Sequence, residues 1–170
     1  MFAAGACFYR PFFFEQGKGG FMSVFFLIFV FTAVLFMAAK VGVNPARDFW
    51  TNARLATGLT FIFTGVTHFL FPETFLKLMP PFIPLHLLMI YISGFFEILG
   101  GVGLMIPATK RAAAYGLILL LLAVFPANVY VALENVQLGG FMSNAFYQWL
   151  RLPLQFVLIW WVYRTVREKR

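Results

Sequence analysis

Apolar residues in this chain come in long uninterrupted blocks, separated by short breaks rich in proline, glycine and basic side chains. The first block, Phe21–Ala39, is an almost uniformly apolar run of 19 residues. Leu55–Phe71, Leu87–Ile106, Ala112–Leu133 and Leu150–Tyr163 follow it. A hydrocarbon layer about 30 Å thick is crossed by about 20 helical residues, so each block predicts a membrane span. A helix is the expected conformation because a lone spanning segment must satisfy its own backbone hydrogen bonds. The pattern predicts an all-α integral membrane protein: a four-helix transmembrane bundle over residues 54–163, preceded by one N-terminal transmembrane helix at 21–39. Residues 1–20 read as a tail at the membrane surface, and residues 164–170 as a basic cytoplasmic tail.

The breaks carry their own signals. Lys40–Arg54 is expected to be a polar loop turning at Asn44-Pro45. Pro72, Pro80, Pro81 and Pro84 forbid a long helix between Pro72 and His86, which predicts an interfacial lid with an amphipathic turn or two at Glu73–Met79. Pro107 ends the third span before the tight basic turn Ala108-Thr109-Lys110-Arg111. Glu134–Trp149 reads as a second loop on the lid side, turning at Gly139-Gly140. Pro126, inside the fourth span, predicts a kink and a freed Leu122 carbonyl, to be met by Asn128 or a threonine of the second span. Pro153 is expected near the start of the fifth span, where a missing N–H costs little. Trp149 with Tyr147 at one end, and Trp160, Trp161 and Tyr163 at the other, mark the two water interfaces.

Composition removes the soluble alternative: 62% of the residues are hydrophobic and 11% are charged, against about a quarter charged in soluble domains. The net charge of +7 does not point to nucleic acid, because the basic residues are spread between apolar runs rather than gathered on one face. They report topology instead. Lys40, Arg47, Arg54, Lys110, Arg111, Arg164, Arg167, Lys169 and Arg170 fall on one side; Arg10, Lys18, Lys77 and Arg151 fall on the other. The positive-inside rule then puts the N-terminus outside and the C-terminus in the cytoplasm. The first block is expected to be retained, since it is longer than the apolar stretch of about 7 to 15 residues in a secretory signal. Cys7 is the single cysteine, which excludes an internal disulfide and a four-cysteine zinc site.

The candidate chemistry centres on Glu97, an acid inside the third span. On a helix it shares a face with Ser93, Gly94, Gly100 and Gly101, small residues that let a neighbouring backbone come close, so Glu97 is expected to point inward. The second span carries Thr57, Thr60, Thr64 and Thr67 on one stripe with His68 beside them, and Gly58 and Gly65 seven residues apart. Measured by helical rise, His68 lies about 5 Å from the outer end of its span, Asn128 and Gln155 lie within about 9 Å, and Glu97 is about 15 Å deep. These depths predict a polar funnel beneath the lid, with Arg151, His68, Asn128 and Gln155 near its mouth and Glu97 at its floor. His68 and Glu97 are the groups able to exchange protons. No phosphate loop, nucleophile elbow or zinc-spaced motif accompanies them, and no metal or intrinsic cofactor is expected.

The order of signals from Arg54 to Tyr163 resembles the DoxX-like membrane proteins. The matching pieces are Gly65-Val66-Thr67-His68-Phe69 with Pro72, Met79-Pro80-Pro81-Phe82-Ile83-Pro84, and Ser93-Gly94-Phe95-Phe96-Glu97-Ile98-Leu99-Gly100-Gly101-Val102-Gly103-Leu104. Pro107-Ala108-Thr109-Lys110-Arg111, Val124-Phe125-Pro126-Ala127-Asn128-Val129-Tyr130 and Arg151-Leu152-Pro153-Leu154-Gln155 continue the series. The resemblance implies a four-helix core in a bacterial cytoplasmic membrane, with no catalytic residues to carry over. It further implies an accessory or quinone-interacting subunit of a membrane oxidoreductase, with a quinone as the ligand and a redox subunit as the partner. The alternative is a non-enzymatic membrane module that binds a partner protein or a small solute. Under either reading the lipid bilayer is a partner, nucleic acid is not, and a homo-oligomer is compatible.

Overall fold

The computed structural model describes residues 20–40, 48–136 and 144–167. Their regular structure is helical: α1 (Gly20–Lys40), α2 (Phe49–Leu70), α3 (Pro72–Leu76), α4 (His86–Met105), α5 (Lys110–Leu133) and α6 (Ala145–Val166). The predicted turns at Asn44-Pro45 and Gly139-Gly140, and the N-terminal tail through Gly19, lie outside the described residues.

Two helices begin earlier than hydropathy predicts, because polar caps rather than apolar residues start them. Asp48 accepts a hydrogen bond from the Thr51 amide at 2.9 Å and so opens α2 at Phe49, six residues before the apolar block. Asn144 accepts from the Phe146 amide at 2.9 Å and opens α6 at Ala145. Pro153 consequently lies inside α6 rather than near its start. The lid is reduced to α3 and a series of turns, and Leu85 swings the chain into α4 with a left-handed φ of 55°.

α2, α4, α5 and α6 contact one another in a closed ring, α1 packs mainly on α2, and α3 rests across the ends of α2 and α4. The apolar core joins Ile28 of α1, Phe61 of α2, Leu104 of α4, Leu117 of α5, and Leu158 and Val162 of α6. Only α4 and α5, among the described residues, are long and apolar enough to cross a membrane, so the expectation of five spans is not met on that criterion. Polar side chains dilute α2 and α6: Asn52, Arg54 and five threonines in α2, and Gln148, Arg151, Gln155 and Arg164 in α6.

These polar residues face inward. Asn52, Thr57, Thr60 and Gln155 are fully buried, while Phe29, Phe63, Phe95, Leu119, Phe156 and Trp160 are exposed. Not every aromatic expected at an interface faces out. Trp149, Trp160 and Tyr163 are exposed, whereas Tyr147 is buried and Trp161 turns inward, its indole donating to Thr57 Oγ1 at 3.0 Å.

The seam between α2 and α4 is built on glycines. A Cβ added to Gly58 would come within 2.7 Å of the Gly101 carbonyl oxygen, and one added to Gly65 within 2.7 Å of the Gly94 carbonyl oxygen. Two glycines seven residues apart on each antiparallel helix thus meet in register, and the backbones approach as closely as small residues permit.

Candidate functional site

That seam brings together two of the residues singled out by sequence. Glu97 lies between Gly94 and Gly101 on α4, opposite the turn of α2 that holds Thr64 and His68. His68 Nδ1 is 3.0 Å from the Thr64 carbonyl oxygen. A carbonyl only accepts, so Nδ1 carries the hydrogen, and in the neutral ring Nε2 is the bare nitrogen. Glu97 Oε2 lies 3.8 Å from His68 Nδ1, beyond hydrogen-bond length, and it is buried with no hydrogen-bond partner. The Thr64 side chain is within reach of the same carboxyl.

The lid closes over this pair. Phe75 of α3 stacks on the His68 ring, 3.9 Å between centroids at an interplanar angle of 20°. Beside it Phe69 and Tyr91 stack at 5.4 Å and 7°, tying α2 to α4. A Cβ on Gly94 would fall 2.7 Å from the His68 Cβ. The site is therefore packed, with no side chain's worth of space left between the helices.

Asn128, Arg151 and Gln155 form a second group, between α5 and α6. Arg151 Nη2 donates to Asn128 Oδ1 at 2.8 Å, Asn128 Nδ2 donates to Gln155 Oε1 at 2.7 Å, and Gln155 Nε2 donates to the Leu121 carbonyl. The direction of this chain is fixed at both ends. Arginine only donates and a carbonyl only accepts, so both amide orientations follow. This corrects the expectation at Pro126: the carbonyl served is Leu121 rather than Leu122, and the donor is Gln155. The threonines are occupied in their own helix, Thr57 donating to the Ala53 carbonyl and Thr60 to that of Ala56, and α5 packs against α4 and α6.

Among the described residues no hydrogen bond or ion pair joins the two groups. An open groove of about 600 Å³ does lie beside the lid, but its walls are Leu76, Leu85, His86, Leu87, Leu88 and Tyr91. His86 fastens the lid, its Nε2 lying 2.9 Å from the Pro80 carbonyl oxygen.

Sequence reasoning missed Arg54, placing it in a loop. It is buried in the second turn of α2, and its Nη1 donates to the Leu104 carbonyl in the last turn of α4, where a cation complements the helix dipole. Asp48, an acid of the kind that caps helix N-termini, is the signal that would have moved the helix start ahead of it.

Residues 57–166 match the family described as Domain of unknown function (DUF8561), and the chain belongs to that family. The match runs from α2 to the end of α6 and takes in His68, Glu97, Asn128, Arg151 and Gln155. It overturns the DoxX-like assignment, because the same stretch is claimed by a different family and no DoxX match is found. Many of the residues that carried the resemblance are glycines at the close α2–α4 seam and prolines in the turns between helices, which serve packing and chain reversal rather than a shared chemistry. No curated protein and no solved structure matches the chain.

Proposed function

We propose that this protein is a non-enzymatic module of a cytoplasmic membrane, crossing it five times, in which the His68/Glu97 pair takes up and releases one proton. Support for five crossings comes from length and surface. α1, α2 and α6 have 21, 22 and 22 residues, each long enough at 1.5 Å per residue to traverse the hydrocarbon layer. Their outward side chains include Phe29, Val34, Phe63, Phe156 and Val157, as a lipid-facing surface would. The orientation that suits the basic residues has the N-terminus outside and the C-terminus in the cytoplasm.

The proton site rests on one observation: a buried carboxylate oxygen without a hydrogen bond, 3.8 Å from an imidazole nitrogen. An ionised Glu97 beside a neutral His68 would leave an uncompensated charge in an apolar interior, which is costly. Two arrangements avoid this, a proton on Glu97 or a proton on His68 Nε2 that makes an ion pair of the two. Both hold one exchangeable proton with no net charge. Its release would alter the α2–α4 seam, which is how a small solute or a partner span could be sensed. The quinone and oxidoreductase reading depended on the DoxX likeness and loses its support with it; the exposed face of the His68 ring is filled by Phe75.

Infrared difference spectroscopy of the protein in liposomes tests the proposal. A protonated-carboxyl C=O band should titrate with pH in the wild type, disappear in Glu97→Gln and titrate in a different range in His68→Gln. A wild type in which neither a carboxyl C=O band nor an imidazole band lost in His68→Gln titrates, or a carboxyl band that survives Glu97→Gln, would sink it.

A further inference from the structure

The His68/Glu97 pair is walled unequally. Away from the lid it is backed by Phe61, Leu104, Leu117, Leu158 and Val162 of the apolar core, and by the Gly58–Gly101 contact, which leaves no room for a Cβ. Toward the lid its cover is α3 and the turns that run on to Leu85. None of the α3 residues is buried. Segments with few buried apolar contacts are the ones that open at low free energy.

Side-chain contacts hold the lid down. Phe75 stacks on His68, Phe82 meets Tyr130 of α5 edge to face at 6.5 Å and 89°, and His86 Nε2 lies 2.9 Å from the Pro80 carbonyl oxygen. Phe82 is 72% exposed, so its contact is shallow. Backbone strain opposes these ties. Leu85 holds φ 55° and ψ 46°, a left-handed conformation in which the leucine Cβ crowds the following carbonyl oxygen. At the other end Phe71, with φ −133° and ψ 54°, breaks the chain between α2 and α3. The lid thus runs between two element-terminal residues placed to absorb a change of backbone angle, as hinges do.

We propose that the lid gates the proton site: residues 72–85 swing on Phe71 and Leu85, and the His68/Glu97 pair exchanges its proton with the solution on the lid side only while the lid is raised. This rests on the proton reading above. With Phe75 lifted, a proton from water bonds to His68 Nε2, and the imidazolium pairs with the Glu97 carboxylate as Nδ1 turns toward Oε2 across the 3.8 Å between them. Where the Nδ1 hydrogen passes on to Oε2, Glu97 ends protonated and the imidazole ends neutral with its hydrogen on Nε2. The reverse steps return the proton to water. The Thr64 carbonyl is not stranded when Nδ1 turns away, because it also accepts from Thr67 Oγ1 at 2.6 Å.

Two rates measured on the full chain in liposomes test this. One is the isotopic shift, after transfer to deuterated buffer, of whichever of the Glu97 carboxyl and His68 imidazole bands carries the proton. The other is acylation of His68 by diethyl pyrocarbonate. Phe82→Ala and His86→Ala each remove one tie and should raise both rates about fivefold. Leu85→Gly relieves the strain of the closed lid, because glycine takes a positive φ freely, and should lower both rates about threefold. Phe63→Ala, on the outer surface of α2, should change neither. Rates unchanged in Phe82→Ala and His86→Ala, or rates not lowered in Leu85→Gly, would overturn the proposal. Acylation that follows the variants while neither band titrates would remove the proton reading and leave the lid motion. Bands that titrate but exchange at the same rate in every variant would keep the proton site and remove the gate.

Discussion

Gly58 of α2 and Gly101 of α4 lie backbone to backbone, each so close that a Cβ on one would come within 2.7 Å of the other's carbonyl oxygen. Because the obstacle is backbone rather than a flexible side chain, the helices must separate to admit a methyl group. Gly58→Ala and Gly101→Ala should each destabilise the protein by about 1–3 kcal/mol, read as earlier unfolding in a dodecyl sulfate titration from mixed micelles. Gly116 is the control, since a Cβ there meets nothing within 4 Å. Gly116→Ala should be neutral or stabilise by up to about 1 kcal/mol.

The hydrogen bonds running from Arg151 through Asn128 and Gln155 to the Leu121 carbonyl make the two amides interdependent. Removing either leaves the other with an unmet partner between α5 and α6. Asn128→Ala and Gln155→Ala should therefore be non-additive. A double-mutant cycle in the same unfolding assay should give a coupling of about 0.6–1.7 kcal/mol, between the average and the maximum for hydrogen bonds between membrane helices. Additivity within error would mean that the contact carries no net stability.

Much of the seam was legible in the sequence, because glycines and an acid at helical spacing state a physical requirement. Gly58, Gly65, Gly94 and Gly101 reserve room for a close backbone, and Glu97 falls on the face they define. Position along a helix axis follows from residue number, but position around the bundle does not. Depth alone placed His68, Asn128, Arg151 and Gln155 together, whereas the fold sets His68 and Glu97 at α2–α4 and the other three at α5–α6. Arg54 was lost for a different reason. Hydropathy locates where lipid-like sequence begins, while the helix begins where Asp48 satisfies its free N–H groups. The prolines between α2 and α5 misled on family because Pro72, Pro80, Pro81, Pro84 and Pro107 mark turns and helix starts, which helical bundles of different families share.

The proposed topology predicts opposite accessibility for the two ends of the bundle. With Cys7→Ser as background, Lys77→Cys in the turn after α3 and Arg111→Cys at the start of α5 place single thiols at the lid end and the basic end. In intact cells a membrane-impermeant maleimide should label the Lys77→Cys variant and should reach the Arg111→Cys variant only after permeabilisation. Labelling of both from outside would rule out an odd number of crossings between these positions, and the reversed pattern would invert the orientation.

Phe75 covers the imidazole that the proton site depends on. Its stack on His68 is worth about 0.5–1.5 kcal/mol beyond simple burial, and removing it should expose the bare Nε2 more often. Diethyl pyrocarbonate acylates an unprotonated imidazole nitrogen, and peptide mapping distinguishes His68 from His86. In Phe75→Ala the acylation of His68 should speed up several-fold, while that of His86, held by the Pro80 carbonyl at 2.9 Å, should change little. Equal acceleration at both histidines would mean that the whole lid has loosened, and no acceleration at His68 would mean that Phe75 does not guard it.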